Sequence, residues 1–237
     1  MSFPLHDSID LWHGRLANDE TIDQNCWRVL DESERDQAMK LKRPFMQARY
    51  VEVHGKMRRI LAHYLRTEPG RLVIGKEAHG KPYLVERPEW VFNLSHSADR
   101  IVLAVSKSSR LGVDIELCKS KSNLDGLVKK CFSIEEAAYW QALPEPEKTV
   151  GFYRFWTRKE AFVKATGRGI GLGLERCVIN PANPTEMLRV PENFGPATAW
   201  CIADIDLGHD VACAVVNDNG INRITLRAMN DDWIETL

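Results

Sequence analysis

Apolar residues recur with a helical period in two long segments of this sequence. Between residues 44 and 65 they are spaced near 3.6 residues apart, and Pro44 stands where a proline is well tolerated, in the first helical turn. The second segment runs from about residue 147 to residue 166 and is followed by Gly167, the residue type most common just past a helix end. The pattern therefore predicts two long helices of about 20 residues, each with a basic polar side.

Two polar pairs predict where shorter helices begin. Asp31 is followed three residues later by Glu34, and Ser133 is followed three residues later by Glu136. This spacing is typical of a capping box, in which each side chain bonds to the backbone N–H of the other residue. We predict one helix from Asp31 through about Lys42 and another that begins after Ser133.

Short runs rich in β-branched and apolar residues predict strands. Residues 90–97 and 100–106 are predicted as two strands joined by a short polar link, and residues 111–117 as a third strand. The segment HGKPYL at 79–84 contains Gly and Pro and is predicted as a turn. Further short strands are predicted at 176–179, 199–206, 210–216 and 223–226.

The order of these elements indicates a weak internal repeat. Each half of the chain has a long helix followed by a strand hairpin, and each hairpin ends in an Ala-Val pair, Ala104-Val105 and Ala214-Val215. A repeat this weak often arises by chance. The length of 237 residues fits one large domain as well as two halves, so the residues alone leave both arrangements open.

Charge and cysteine content argue against several functions. The chain has 32 basic and 33 acidic residues, so it lacks the basic excess of a generic nucleic-acid binder. Its six cysteines include no C-x-x-C pair, which argues against a zinc site or a redox dithiol. No secretory signal pattern opens the sequence, and no apolar run approaches the roughly 18 residues of a membrane span. We expect a cytoplasmic protein that contacts neither nucleic acid nor membrane.

The first candidate for chemistry is the segment GVDIE, residues 112–116. Successive side chains of a strand alternate between its faces, so Asp114 and Glu116 project together while Val113 and Ile115 point the other way. Two neighbouring carboxylates repel each other unless a cation lies between them or one is protonated, and Mg²⁺ prefers such oxygen ligands. The alternative is the ordinary polar face of a half-buried strand, which is the commoner meaning of this pattern alone.

The second candidate lies on the helix predicted at 147–166. Glu160 and Lys164 are one turn apart and share a face, and Lys159 lies about 100° around the helix from Glu160. A carboxylate for a metal and ammonium groups for phosphates are what a phosphoryl-transfer site requires. The alternative is a salt-bridged surface helix.

The third candidate is the segment NLSHS, residues 93–97. The hydroxyl of Ser95 and the imidazole of His96 could hold a phosphate or a nucleoside. As neighbours on a strand they face opposite sides, so they are unsuited to act together as a nucleophile–base pair. Simple capping of the hairpin end is the alternative.

The fourth candidate is a basic group near the start of the first long helix and in the turn that follows it. It comprises Lys40, Lys42, Arg43, Arg49 and Lys81. Lysine and arginine bind phosphate by charge, and arginine also by a two-pronged hydrogen bond. An ordinary solvated helix surface is the alternative. The Gly-rich segment 167–173 lacks the lysine of a phosphate-binding P-loop.

These motifs stand in a distinctive order: Gly80-Lys81-Pro82, then Asn93-Leu94-Ser95-His96-Ser97, then Gly112-Val113-Asp114-Ile115-Glu116, then Trp156-Thr157-Arg158-Lys159-Glu160-Ala161 with Lys164 and Gly167. The order resembles the large, surfactin-synthetase-activating class of 4'-phosphopantetheinyl transferases. The resemblance implies an α+β fold of two pseudo-symmetric α/β halves with the active site in the cleft between them. It assigns residues 1–108 to the half that contacts the adenine and 3'-phosphate of coenzyme A. Residues 109–237 would form the half with the metal site and the pyrophosphate-binding helix.

The activity implied by the resemblance is Mg²⁺-dependent transfer of the 4'-phosphopantetheine arm from coenzyme A to a serine of an acyl or peptidyl carrier protein, with release of adenosine 3',5'-bisphosphate. The chain would then be a holo-[acyl-carrier-protein] synthase with coenzyme A and the carrier protein as partners, and we expect it to act as a monomer. The alternatives are a Mg²⁺-dependent phosphatase or nuclease that uses the same acids, and a non-catalytic nucleotide-binding module.

The resemblance also implies residue roles. Asp114, Glu116 and Glu160 would ligate Mg²⁺, and Glu160 would serve as the base for the attacking serine. The residues that would contact coenzyme A are Lys81 and Pro82 at the adenine, Ser95, His96 and Arg49 at the 3'-phosphate, and Lys159 and Lys164 at the pyrophosphate. Glu160 and Lys164 are thus the expected catalytic pair.

Overall fold

The computed structural model describes residues 8–107, 110–119, 123–221 and 223–229. The first series of elements comprises β1 (Ser8–Arg15), α1 (Gln24–Val29), α2 (Glu32–Lys40), α3 (Pro44–Leu65), β2 (Ile74–Lys76), β3 (Pro82–Leu84), β4 (Val91–Ser97) and β5 (Arg100–Ser106). The second series comprises β6 (Leu111–Leu117), α4 (Leu124–Cys131), α5 (Ile134–Ala142), α6 (Glu145–Thr166), β7 (Val178–Ile179), β8 (Met187–Arg189), β9 (Cys201–Asp204) and β10 (Val211–Asn217). Strand β11 (Arg223–Ala228) follows it. The boundary predicted between residues 108 and 109 falls outside the described residues.

The second series repeats the order of the first. Each has one strand, two short helices, a helix of 22 residues, a two-stranded sheet and a strand hairpin. The mixed α+β fold predicted from the sequence is therefore confirmed, and the repeat that the sequence only indicated extends to every one of these elements.

Local signals in the sequence set the helix ends. Asp31 and Ser133 each cap a helix, and Glu34 and Glu136 complete the two capping boxes as predicted. Helix α6 ends where Gly167 adopts a left-handed conformation with a φ of 69°, which glycine reaches without a steric penalty.

Two larger sheets stack face to face, and a long helix packs on the outer face of each. The strand order is β11-β1-β5-β4 in the first sheet and β6-β10-β9 in the second. The facing surfaces are apolar and include Leu11 and Val102 of the first sheet and Val113 and Val215 of the second. Helix α3 packs on the first sheet and α6 on the second. Burial of these apolar faces joins the two halves and places β4 beside β6.

The two Ala-Val pairs that indicated the repeat are not equivalent in the structure. Val105 packs against α3 and Ala104 against the opposite half. In the second hairpin, Ala214 packs against α6 and Val215 against the opposite half. Because strand side chains alternate, the two pairs are out of phase by one residue. The repeat is real, but this particular match in sequence does not reflect it.

The strands β1, β2 and β8 and the short helices α1 and α4 are not among the predicted elements. In β1 the alternation of polar and apolar residues runs only from Ser8 to Leu11 and is broken by Trp12, so its period-2 signal is short. The turn predicted at 79–84 is shorter than expected, since Pro82–Leu84 pair with β2 as β3. The hairpin of β4 and β5 and the strand β6 are confirmed to within a residue.

The long helices α3 and α6 mix apolar and charged residues over their whole length. Among the helices of the described residues, none is both long enough and apolar enough to cross a membrane.

Candidate active site

A glycine lets the strand and the helix that carry the site approach closely. A Cβ atom added at Gly112 of β6 would lie 1.9 Å from the carbonyl oxygen of Ala161 on α6. No side chain fits at that distance, so glycine is required for this contact. The close packing brings Asp114 of β6 next to Lys164 of α6.

Asp114 is the centre of a small polar cluster that spans both halves. Its side chain is buried, and its Oδ1 accepts hydrogen bonds from Lys164 Nζ at 2.7 Å and from Ser95 Oγ at 2.8 Å. Lys164 Nζ also donates to Ser95 Oγ at 2.7 Å. Ser95 belongs to β4 of the first half, while Asp114 and Lys164 belong to the second. The structure therefore brings together three of the predicted site residues, and the ion pair of Lys164 is made with Asp114 across two elements.

Two carboxylate oxygens in this cluster lack a partner. Asp114 Oδ2 and Glu160 Oε1 are buried, and neither finds a hydrogen-bond partner among the described residues. Burial raises the pKa of Glu160 to about 7, and the charge of Asp114 adds to that shift against the opposing effect of Lys164. Leaving a buried polar atom without a hydrogen-bond partner costs free energy. A bound cation would therefore stabilise this cluster.

The donor chemistry of these acids fits a divalent ion. Carboxylate oxygens are the ligands that Mg²⁺ prefers, and two of them are unpaired here. Within the described ranges, no three acidic, imidazole or thiol groups already converge on one point. Asp114 Oδ1 is bound by Lys164 and Ser95, and Glu116 Oε2 accepts a hydrogen bond of 2.6 Å from Ser97 Oγ.

Arg49 shows the reverse situation, because here a buried cation lacks a partner. Arg49 of α3 is buried, and its Nη1 finds no hydrogen-bond partner among the described residues. Its guanidinium lies over the ring of Phe45, 5.0 Å from the ring centre. Desolvation, followed by the charges of Arg49 and Lys164, lowers the pKa of His96, which places these cations near one another. A buried guanidinium that lacks an anionic partner is suited to bind a phosphate group.

A cavity between the halves lies next to Glu160 and Lys164. Its volume is about 340 Å³, and Lys81, Pro82 and Asn93 of the first half line it together with Glu160 and Lys164 of the second.

Lys81 also helps to join the halves. Its Nζ donates to the carbonyl oxygens of Leu111 at 3.0 Å and Ala165 at 2.9 Å. Burial lowers the pKa of Lys81 to about 8. Lys81 thus lines the cavity with its stem while its ammonium group ties the first half to the start of β6 and the end of α6.

Lys159 is not part of this site. Its side chain is completely buried, and its Nζ lies 2.6 Å from Glu136 Oε2. The same Nζ donates to the carbonyl oxygens of Leu174 and Cys177. Burial lowers the pKa of Lys159. An ammonium group with no exposed surface and three protein partners has no access to a pyrophosphate, so the expected role of Lys159 is corrected to a structural one.

The other predicted basic residues also lie outside the cluster. Lys40, Lys42 and Arg43 are exposed at the end of α2 and the start of α3, and the structure shows no contact between them and the groups described above.

The first half contains a counterpart of Asp114 that sequence reasoning missed. Asp10 of β1 is buried and accepts a hydrogen bond of 2.6 Å from Tyr64 of α3. Arg227 of β11 lies 2.9 Å from the same carboxylate. This counterpart is neutralised within the protein by a strand that the second half does not have, so the repeat does not produce a second open site of the same kind.

Comparison with known proteins agrees with this geometry. Residues 110–216 match the family model described as the 4'-phosphopantetheinyl transferase superfamily. The chain is 34% identical over 204 residues to the 4'-phosphopantetheinyl transferase HetI of Nostoc sp. (strain PCC 7120), covering 85% of this chain and 84% of HetI. It is 30% identical over 228 residues to a phosphopantetheinyl transferase of Thraustochytrium sp., covering 88% and 78%. A 4'-phosphopantetheinyl transferase of Bacillus subtilis is 38% identical over 108 residues, which are 46% of this chain and 47% of that protein.

An α+β fold with a charged cleft between two similar halves, together with these relatives, defines an enzyme of the transferase class. The chain belongs to the 4'-phosphopantetheinyl transferase superfamily.

Proposed function

We propose that this protein transfers the 4'-phosphopantetheine arm from coenzyme A to a serine of an acyl or peptidyl carrier protein and releases adenosine 3',5'-bisphosphate. We further propose that it requires Mg²⁺ and belongs to the large, surfactin-synthetase-activating class. A monomer is sufficient for this reaction, because Ser95 and Asp114 bring both halves of the site together within one chain.

The observation that carries the proposal is that buried carboxylates and a buried arginine each lack a partner of opposite charge. Asp114 Oδ2 and Glu160 Oε1 lack a positive partner, and Arg49 Nη1 lacks a negative one. A coenzyme that carries a 3'-phosphate and a pyrophosphate, together with a divalent ion, supplies both. A simple metal site would not explain the arginine, and a simple anion site would not explain the acids.

The acids would hold the divalent ion. Asp114, Glu116 and Glu160 are the candidate ligands, and an ion bound there neutralises charge on the phosphate oxygens during displacement. The pKa of Glu160, raised to about 7, shows how strongly this carboxylate is destabilised as an anion without such a charge.

The remaining candidate residues would hold coenzyme A. Arg49, Ser95 and His96 are the residues proposed for the 3'-phosphate, and Lys81 and Pro82, which line the cavity, are those proposed for the adenine.

Lys164 is the group proposed for the pyrophosphate. Its side chain is partly exposed, and its Nζ now neutralises Asp114. We expect Lys164 to exchange this bond for one to a pyrophosphate oxygen when the coenzyme binds.

The transfer step needs a base near the attacking serine. The serine Oγ forms a bond to the phosphorus of the pantetheine phosphate, and the bond from that phosphorus to the bridging oxygen breaks, so that adenosine 3',5'-bisphosphate leaves. The serine proton passes to the carboxylate of Glu160, directly or through a water.

The deciding experiment is mass spectrometry of a carrier protein after incubation with this protein, coenzyme A and Mg²⁺. Gain of the phosphopantetheine arm by the carrier supports transfer. Hydrolysis of the coenzyme with an unmodified carrier would indicate a phosphatase, and no change in either would indicate a non-catalytic binding module.

A further inference from the structure

Three side chains of β4 contact β6 in register. Asn93, Ser95 and Ser97 lie on the same face of β4, because alternate residues of a strand project together. Their contacts on β6 are the backbone N–H of Val113 to Asn93 Oδ1 at 2.8 Å, Ser95 Oγ to Asp114 Oδ1 at 2.8 Å, and Ser97 Oγ to Glu116 Oε2 at 2.6 Å. We call these three residues of β4 the polar ladder.

The polar ladder replaces a missing neighbouring strand. Strand β6 stands at the end of the order β6-β10-β9, so its outer edge is not paired within its own sheet. Asn93 is buried and supplies an acceptor to one N–H of this edge, at Val113. The ladder thus fixes the position of β6 relative to the first half at the residues next to the two acids.

Ser97 contacts the less buried of these two acids. Glu116 is only half-buried, and a glutamate side chain has three rotatable bonds whose ordering costs entropy. The hydroxyl of Ser97 donates to Oε2, and the N–H of Leu117 lies 3.5 Å from the same hydroxyl oxygen. The hydrogen bond engages Oε2 and therefore leaves Oε1 of Glu116 for another partner.

We propose that Ser97 is a positioning residue that holds Glu116 in the orientation needed to bind the divalent ion. This inference rests on the proposed function in one respect: the ion is the divalent ion proposed above for Asp114, Glu116 and Glu160. Groups that hydrogen-bond to metal ligands commonly contribute tenfold to a hundredfold to metal affinity. The role belongs to a residue of the first half, although the ion would be held by the second.

The test is a titration of Mn²⁺ into the full chain, followed by the electron spin resonance of free Mn²⁺, with and without coenzyme A. Ser97→Ala should weaken Mn²⁺ binding by about tenfold to a hundredfold. Ser97→Thr keeps the hydroxyl and should restore binding to within about threefold of the original protein. The matched control is Ser106→Ala, which removes a buried serine hydroxyl from the neighbouring strand β5, where it donates to the backbone oxygen of Ser8. This control should bind Mn²⁺ normally.

A second measurement separates positioning from general damage. In the transfer assay, Ser97→Ala should raise the Mg²⁺ concentration needed for half-maximal rate and leave the rate at saturating Mg²⁺ close to normal. Equal Mn²⁺ affinity of the original protein and Ser97→Ala, or equal losses in Ser97→Ala and Ser97→Thr, would overturn the proposal. The Mn²⁺ titration needs no carrier protein, so its result stands even if the transfer activity itself proves wrong.

Discussion

Lys159 Nζ lies 2.6 Å from Glu136 Oε2, and both side chains are completely buried. Glu136 is the residue that completes the capping box of α5. The first half repeats this arrangement: Arg58 of α3 pairs with Glu34, which completes the capping box of α2. In each half one glutamate therefore both caps a short helix and anchors the long helix by a buried ion pair.

The equivalence extends to the backbone contacts of the two cations. Arg58 donates to the carbonyl oxygens of Pro69 and Leu72, in and after the turn that follows α3. Lys159 makes the same kind of contact with Leu174 and Cys177 after α6. These shared contacts define the internal repeat more reliably than the Ala-Val pairs do.

Replacing Lys159 should lower the free energy of unfolding without abolishing the transfer activity. Lys159→Met leaves the charge of Glu136 buried and unpaired, which typically costs about 3–5 kcal/mol of unfolding free energy. Urea denaturation would measure this loss. The double variant Lys159→Met/Glu136→Gln should be less destabilised than the single variants predict by addition, because their effects are coupled. Transfer activity per folded molecule should stay near normal. A variant as stable as the original protein but inactive would instead support a direct contact with the coenzyme.

The ion pair of Glu34 should make the protein sensitive to acid. Burial alone would raise the pKa of Glu34, but hydrogen bonds from His54 and the guanidinium of Arg58 outweigh it and hold the pKa below its usual value of 4.5. A carboxyl whose pKa is lower in the folded state contributes stability above pH 4.5 and loses it as the pH falls through the folded-state pKa. The unfolding free energy measured between about pH 3 and 7 should therefore fall less steeply on the acid side in Glu34→Gln. Glu32→Gln, at an exposed position of the same helix, should keep the original slope.

Gly112 should not tolerate a side chain. Gly112→Ala places a Cβ 1.9 Å from the backbone oxygen of Ala161 and must push β6 away from α6. Overpacking of this kind typically costs about 1–3 kcal/mol, and the shift should also lower transfer activity because Asp114 moves with β6. Thermal melts and transfer assays would measure both. Gly70→Ala meets its nearest atom only at 4.0 Å and should change neither. Normal stability of Gly112→Ala would show that the two elements are less closely packed than described.

Arg49 should determine the preference for the 3'-phosphate. Coenzyme A should stabilise the protein against heat more than dephospho-coenzyme A does, because a ligand that binds the folded state raises its stability by mass action. In Arg49→Met the two ligands should give nearly equal shifts in Tm. Arg71→Met removes an exposed arginine and should keep the difference. Equal shifts from both ligands in the original protein would remove Arg49 and His96 from this role.

The sequence predicted the elements whose signals are local. Capping boxes, the glycine after α6, the short apolar run of β4 and the alternation in β6 each act within a few residues, and the structure confirms the elements they predict. Strand β1 carries only a short signal, because its alternation runs from Ser8 to Leu11 and is broken by Trp12.

The site was only partly predictable from the sequence, because contacts between distant elements decide which side chains reach it. Spacing along α6 places Lys159 beside Glu160 in sequence, but it does not tell which side of the helix faces the core. Glu136, which draws Lys159 inward, lies on another helix. Likewise, the link between Ser97 and Glu116 depends on the packing of two halves that a pattern within one strand cannot show.

Single-turnover transfer to a carrier protein by Glu160→Gln, followed by mass spectrometry, tests the central claim most directly. The substitution keeps the size of the side chain and removes its charge, so it should weaken binding of the ion and slow transfer together. Loss of one well-placed charged group in such a site typically lowers the rate by ~10²–10³-fold. Because Glu160 Oε1 is buried and unpaired, and burial is what raises the pKa of Glu160 to about 7, the thermal melt of Glu160→Gln should be unchanged or higher. A near-normal rate of transfer by this variant at limiting Mg²⁺ would contradict the account.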